Sequence, residues 1–170
     1  MRPPESKIAT CEALAERFGR EPPARLVLAN GLFDLVHVGH ARYFADARRA
    51  GDALVVALND DASARRAKGP ERPLLPLDER LLVVAAFRCV DWVTFFPEPT
   101  VAPTLRLLRP VFHAKGTDYR PETLPDEEQA AHRELGIRVA IAGDPKDHAT
   151  SDLIVEILQR GDERRPGGHQ

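Results

Sequence analysis

His37 and His40 stand three positions apart, with Val38 and Gly39 between them, directly downstream of Asn30-Gly31-Leu32-Phe33-Asp34. Two imidazoles at that spacing could ligate a metal, cap a helix or donate hydrogen bonds to an anion. A zinc site needs further His, Cys or carboxylate ligands, and no third such residue follows at a fitting spacing. The segment is neither GxGxxG nor GxxxxGK[ST], which excludes the dinucleotide fingerprint and the Walker loop. Gly31 lets backbone approach a ligand with no Cβ in the way, and Gly39 permits a tight turn into a helix that opens near His40. The first turn of a helix presents unbonded N–H groups and the positive end of its dipole. Imidazoles and amides converging there would hold a polyphosphate and stabilise charge growing at a reacting phosphorus.

Such a loop needs a strand behind it and a helix ahead. Leu26-Val27-Leu28-Ala29 is apolar throughout, as a strand covered on both faces should be. Further strands are predicted at Ala53 to Leu58, Trp92 to Phe96, Val111 to Ala114 and Ile137 to Ala142. Amphipathic stretches alternate with them: His40 to Ala50 before Gly51, Asp78 to Arg88 after Pro76, Thr100 to Leu108, Glu122 to Leu135 before Gly136, and Thr150 to Arg160. A helix from Cys11 to Phe18 lies outside the sheet. The alternation predicts α/β architecture, a single doubly wound, Rossmann-like parallel sheet of five strands. Residues 1–160 form one domain in this reading, with 1–24 a peripheral helix and linker; the polar, Gly/Pro-rich 161–170 is a loose tail. In such sheets ligands bind beyond the carboxyl ends of the strands, where strand order reverses.

Composition narrows the classes. With 43% hydrophobic and 29% charged residues the chain is globular rather than disordered. A net charge of -2 gives no overall basic field for nucleic acid. Cys11 and Cys89 are too few and too far apart for a disulfide scaffold or a CxxC site, and read as apolar fillers of a reducing compartment. No apolar run approaches the ~20 residues of a membrane span, and the first residues have no apolar segment behind their positive charge. The expectation is a cytoplasmic protein.

Gly31-Leu32-Phe33-Asp34-Leu35-Val36-His37-Val38-Gly39-His40 resembles the GxFDxxHxGH signature of the cytidylyltransferase-like nucleotidyltransferases. Within them the chain is similar to the D-glycero-β-D-manno-heptose 1-phosphate adenylyltransferases, which make ADP-heptose. Asn59-Asp60-Asp61-Ala62-Ser63, Lys68-Gly69, Arg72-Pro73, Pro76-Leu77-Asp78-Glu79-Arg80, Val90-Asp91-Trp92-Val93 and Lys115-Gly116-Thr117-Asp118-Tyr119 extend the likeness from about residue 7 to residue 158. HxGH fixes the superfamily; the Lys-Gly-x-Asp-Tyr stretch with Asp91-Trp92-Val93 points to the heptose branch.

The resemblance implies that His37 and His40 contact a triphosphate, with Gly31 and Gly39 in the same loop and backbone amides of Leu32 and Phe33 near the α-phosphate. Asp34 is placed to meet an acceptor hydroxyl or to orient a Lys or Arg; an ordinary turn aspartate is the alternative. Arg65, Arg66, Lys68 and Arg72 crowd what reads as a loop after the second strand. Lys68 is favoured as a triphosphate or acceptor-phosphate contact that closes on binding, while Arg65 and Arg66 could equally be surface charge. Arg80 stands where the family places a triphosphate-binding arginine. Lys115, Gly116, Asp118 and Tyr119 fall where an acceptor would sit; a plain Lys-Gly turn is the alternative. Where the family has Ser-Thr-Thr at its last helix this chain has Ala149-Thr150-Ser151, so Thr150 and Ser151 retain two phosphate-facing hydroxyls. Arg88 to Val93 resembles a dimer-interface stretch, with Trp92 either an interface anchor or a core residue.

The implied reaction is in-line attack of an acceptor phosphate oxygen on the α-phosphorus of ATP, releasing pyrophosphate without a covalent enzyme intermediate. Mg²⁺ or Mn²⁺ would bridge phosphate oxygens, with no metal ligands from protein side chains. The expected partners are ATP and a sugar 1-phosphate, with no nucleic acid and no membrane, in a homodimer or higher homo-oligomer. The alternatives are a CTP-dependent cytidylyltransferase for glycerol 3-phosphate or another polyol phosphate, and a non-catalytic nucleotide-binding regulatory module.

Overall fold

The computed structural model describes residues 2–144 and the helix at 150–163. Its strands are β1 (Leu26–Gly31), β2 (Ala53–Asn59), β3 (Trp92–Phe96), β4 (Phe112–Lys115) and β5 (Arg138–Ile141). The helices are α1 (Cys11–Arg20), α2 (Val38–Arg49), α3 (Asp61–Lys68), α4 (Leu77–Ala85), α5 (Ala102–Leu108), α6 (Asp126–Leu135) and α7 (Thr150–Glu163). All pairings are parallel, in the order β3-β2-β1-β4-β5. The chain winds outward from β1 through β2 and β3, then crosses to the other side of β1 as β4. The reversal lies between β1 and β4, which makes their carboxyl ends the switch point.

Buried side chains alternate between two layers. Val27, Ala29, Leu54, Val56 and Leu58 pack toward Phe44 and Ala47 of α2 and Leu81, Val84 and Ala85 of α4. Leu28, Val55 and Ala57 face Cys11 and Leu14 of α1, Leu105 of α5 and Ala131 of α6. Each central strand is therefore covered on both sides, the condition an all-apolar strand satisfies. The N-terminal segment is more than an appendage: Ile8 bridges to Val93, and α1 contributes to the core.

Several boundaries move for identifiable reasons. Residues 61–68 are helix α3 and not a loop, because Asp60 caps it by accepting from Ser63 N at 2.6 Å. Pro125 separates α6 from a short 3-10 turn at Pro121–Thr123, so the predicted helix from Glu122 is two elements. Helix α2 opens at Val38 and α4 closes at Ala85. Helix α7 continues through Glu163, so the tail does not begin at Gly161. Gly136 ends α6 with φ of 66°, as a C-terminal glycine should. Gly51 has a different cause: a Cβ there would stand 2.2 Å from the Arg25 carbonyl oxygen.

Candidate active site

Helix α2 begins with a reciprocal pair of caps made by the two histidines. His37 Nδ1 accepts from Gly39 N at 3.2 Å, and His40 Nδ1 accepts from the His37 backbone N at 3.3 Å. Capping and phosphate binding are thus not alternatives. Each ring accepts through Nδ1, so the neutral imidazole carries its proton on Nε2. The rings lie 4.0 Å apart, and His40 packs on Phe33 and Phe44. Burial pushes the His40 imidazole down to about 4, with His37 adding to the effect. His40 is therefore a neutral N–H donor near neutrality. Binding a metal through Nε2 would require the proton to move to Nδ1, against the amides that now donate there.

The preceding loop is held from beneath. Phe33 adopts φ of 49°, and its ring folds back over Gly31, where a Cβ would come within 3.0 Å of the ring edge. The glycine thus makes room for Phe33, which differs from the expected approach of a ligand. Asp34, 2% exposed, accepts from the backbone N of Leu74 and Leu75, each at 2.9 Å, and pairs with Arg72 Nε at 2.8 Å. It orients an arginine and fastens the 72–75 loop; its carboxylate is engaged inward, not offered to an acceptor hydroxyl.

Arg80 is fully buried. Its Nε donates to Leu75 O, Nη1 to Leu32 O and Asn59 O, and Nη2 to Asp61 Oδ1 at 2.6 Å. Instead of reaching into the open, the guanidinium joins the ends of β1 and β2 to α3 and α4. Lys68 is exposed at the end of α3, just before Gly69 with φ of 98°. Arg65 is exposed, and Arg66 donates to Pro97 O, a surface tie rather than a site contact.

Across the switch point, Lys115 ends β4. Its Nζ donates to Asn30 Oδ1 at 3.1 Å and to Glu128 Oε2 at 3.2 Å. Burial lowers the Lys115 pKa, and Glu128 acts against that shift. Fully buried His113 joins Asn30 to His132 of α6, with 2.8 Å on each side. Gly116 opens a tight turn: Tyr119 N donates to Gly116 O at 3.0 Å, and a Cβ on Gly116 would meet Asp118 Oδ1 at 2.8 Å. Asp118 is exposed and Tyr119 half-buried. Asn30, His113, Glu128 and His132 were not among the expected site residues; the one signal was a histidine inside the apolar strand Val111-Phe112-His113-Ala114.

Trp92 is half-buried, with the guanidinium groups of Arg2 and Arg17 over its ring at 4.0 and 4.8 Å. The chain itself covers much of this candidate anchor. Cys11 is buried and its thiol pushed up to about 11 by that burial, as suits an inert filler. Ala149 and the side chains of Thr150 and Ser151 lie outside the described residues. Among the described residues, no helix is long and apolar enough to cross a membrane.

The cytidylyltransferase-like family model matches residues 28–155. The chain is 44% identical over 149 residues to the bifunctional protein HldE of Halorhodospira halophila, covering 86% of this chain and 30% of that protein. Against the bifunctional protein HldE of Syntrophotalea carbinolica it is 41% identical over 158 residues, 92% of this chain and 32% of the relative. The chain therefore spans about a third of the length of these relatives. Among solved structures, a lipopolysaccharide core biosynthesis protein from Thermoplasma volcanium superposes with a TM-score of 0.57 at 29% identity, covering 69% of this chain and 93% of that one. A pantothenate synthetase from Thermus thermophilus gives 0.53 at 19% identity over 84% of this chain and 62% of its own, a likeness of fold alone.

Proposed function

The chain belongs to the cytidylyltransferase-like family, and on that premise we propose that it is a nucleotidyltransferase joining ATP to D-glycero-β-D-manno-heptose 1-phosphate, giving ADP-heptose and pyrophosphate. The observation that carries the reading is the reciprocal capping of α2, which fixes the proton of the neutral His37 and His40 rings on Nε2. Those donors suit the oxygens of the α- and β-phosphates, with Gly39 in the first turn of α2 and the amides of Leu32 and Phe33 in the loop before it. Thr150 and Ser151 supply further phosphate contacts from the last helix. Arg80 acts from beneath, fixing the Leu32 carbonyl and so the loop. Lys68 is the mobile cation that closes over the phosphates.

The acceptor enters beside β4, where Lys115 offsets its phosphate charge and Gly116, Asp118 and Tyr119 meet the sugar. Its phosphate oxygen attacks the α-phosphorus, and the bond to the β-phosphate oxygen breaks as pyrophosphate leaves. Similarity to a protein of lipopolysaccharide core biosynthesis supports a sugar-phosphate acceptor. Among the described residues no three His, Cys, Asp or Glu side chains gather as a metal cage. The histidine and amide donors suit phosphate oxygens and not a cation, so a divalent ion, Mg²⁺ or Mn²⁺, would be carried by the triphosphate and would neutralise its charge. A cytoplasmic, homo-oligomeric enzyme completes the proposal.

Pyrophosphate release in defined metal buffers tests it. Activity should require Mg²⁺ or Mn²⁺ and survive selective zinc removal. Full activity after rigorous magnesium removal, or its loss on zinc removal with magnesium present, would contradict phosphate binding by the two histidines.

A further inference from the structure

Lys115 sets the hydrogen-bond direction of the whole cluster under the acceptor turn. Its Nζ can only donate, and it lies 3.1 Å from Asn30 Oδ1, so that atom is the amide oxygen and accepts. His113 Nε2 meets the same oxygen at 2.8 Å and must carry a proton. The neutral ring then accepts at Nδ1, and His132 Nε2, 2.8 Å away, donates to it. A second proton on His113 would set two N–H groups against each other, and burial already holds this imidazole well below its ordinary value. The groups facing His113 are Asn30 from β1, Lys115 from its own strand, and His132 from α6, where Glu128 also pairs with Lys115. One consistent order results: His132 donates to His113, and His113 donates to Asn30.

The consequence lies at the other end of the amide. Because Oδ1 takes two donors, Nδ2 and its N–H groups point away from His113 and Lys115. Among the described residues nothing accepts from Asn30 Nδ2. Nor is it a buried orphan: there the buried side-chain polar atoms without an aligned hydrogen bond are Arg72 Nε, which is ion-paired with Asp34, and Thr94 Oγ1. The amide nitrogen is therefore open to solvent at the carboxyl end of β1, one residue before Gly31 and next to Lys115.

We propose that Asn30 contacts substrate, its amide nitrogen donating to a phosphate oxygen where nucleotide and acceptor meet, and that His113 and His132 are positioning residues that hold the amide in this orientation. The neighbours select the ligand class: the phosphate loop lies on one side and the Lys115 ammonium on the other, both suited to anionic oxygen. This inference rests on the nucleotidyltransferase reading and adds a donor to it.

Asn30→Asp tests the contact. The change is nearly isosteric and keeps an oxygen toward His113 and Lys115, while an anionic oxygen replaces the donor. We expect an unchanged fold and a kcat/KM lower by about 100-fold. Calorimetry with ATP and with the sugar phosphate separately should show weaker binding of at least one, and the ligand that weakens identifies whose phosphate is held. A variant within about threefold of wild type in turnover and in both affinities overturns the contact. His113→Leu tests the positioning role: kcat should fall by about tenfold, and Asn30→Asp should cost much less in that background than alone. Independent, multiplying losses would overturn positioning by His113. If wild type turns over no sugar phosphate, the proposed function fails by itself, and the contact is judged on binding. An affinity of Asn30→Asp for ATP and inorganic pyrophosphate equal to wild type then overturns it, and a loss of about tenfold supports it.

Discussion

The two sides of the switch point are built on opposite plans. On the side proposed for the nucleotide, side chains lock one another in place: two histidines cap one helix reciprocally, Asp34 is fastened to the 72–75 loop, and fully buried Arg80 grips three backbone carbonyls and Asp61. On the side proposed for the acceptor, buried His113 and Glu128 with half-buried His132 and Lys115 support an exposed turn through Asp118. A polyphosphate has fixed geometry and can be met by a rigid frame of amides and imidazoles. An acceptor sugar is distinguished by its hydroxyls, which side chains on a turn can match one by one.

The largest expected effect is on the rigid side. Arg80→Ala strands buried carbonyls and Asp61, so stability should fall by about 3–5 kcal/mol in urea unfolding. Arg80→Lys should recover less than half of that loss, because an ammonium cannot span the same fork of acceptors. A loss below about 1 kcal/mol would mean that Arg80 is not the strut of this half.

Next comes turnover. His40→Ala should lower kcat by roughly 100- to 1000-fold, about 2.7–4 kcal/mol, with a smaller effect on ATP affinity. A folded variant within about threefold of wild-type turnover would remove His40 from catalysis. On the acceptor side, Asp118→Asn should raise the KM for sugar phosphate by about tenfold and leave ATP binding nearly unchanged. Weakened ATP binding alone would dissolve the division into two halves.

The smallest effect is in pH dependence. The His40 pKa falls from an ordinary 6.5 to about 4 on folding, chiefly through burial. The unfolded chain thus binds the extra proton more readily, and stability falls as pH drops from about 6.5 toward about 4. His113 and His132 are shifted in the same direction by burial. His40→Gln should therefore flatten the stability profile only in part, measured by unfolding between about pH 7 and about pH 5. A profile as steep as wild type would contradict a His40 buried in its neutral form.

The architecture was largely legible because apolar runs and helical spacing are local signals. Leu26 to Ala29, Ala53 to Leu58 and Trp92 to Phe96 all fall in strands of the parallel sheet. Helix α3 was missed because its Arg- and Lys-rich outer face reads like a solvated loop, and its cap depends on one aspartate. The place of the candidate site was legible in part, since Lys115 does meet Asn30 where β1 and β4 end, and His37 and His40 do open the helix after β1. What each side chain does was less so. Arg80 and Asp34 turn inward to bind backbone groups distant in sequence, and no spacing rule reports such partners. The Asn30–His113–His132 line joins three separate elements and leaves almost no local trace.

Initial rates of pyrophosphate release for four nucleoside triphosphates, each paired with several sugar and polyol phosphates, test the proposed transfer from ATP to a heptose phosphate. ATP with D-glycero-β-D-manno-heptose 1-phosphate is expected to be by far the best pair, because glycerol 3-phosphate would leave polar groups of the acceptor turn unmatched. If CTP with glycerol 3-phosphate proves the better pair, the heptose assignment is wrong although nucleotidyl transfer stands. If no pair releases pyrophosphate in the presence of Mg²⁺, the catalytic reading itself is contradicted.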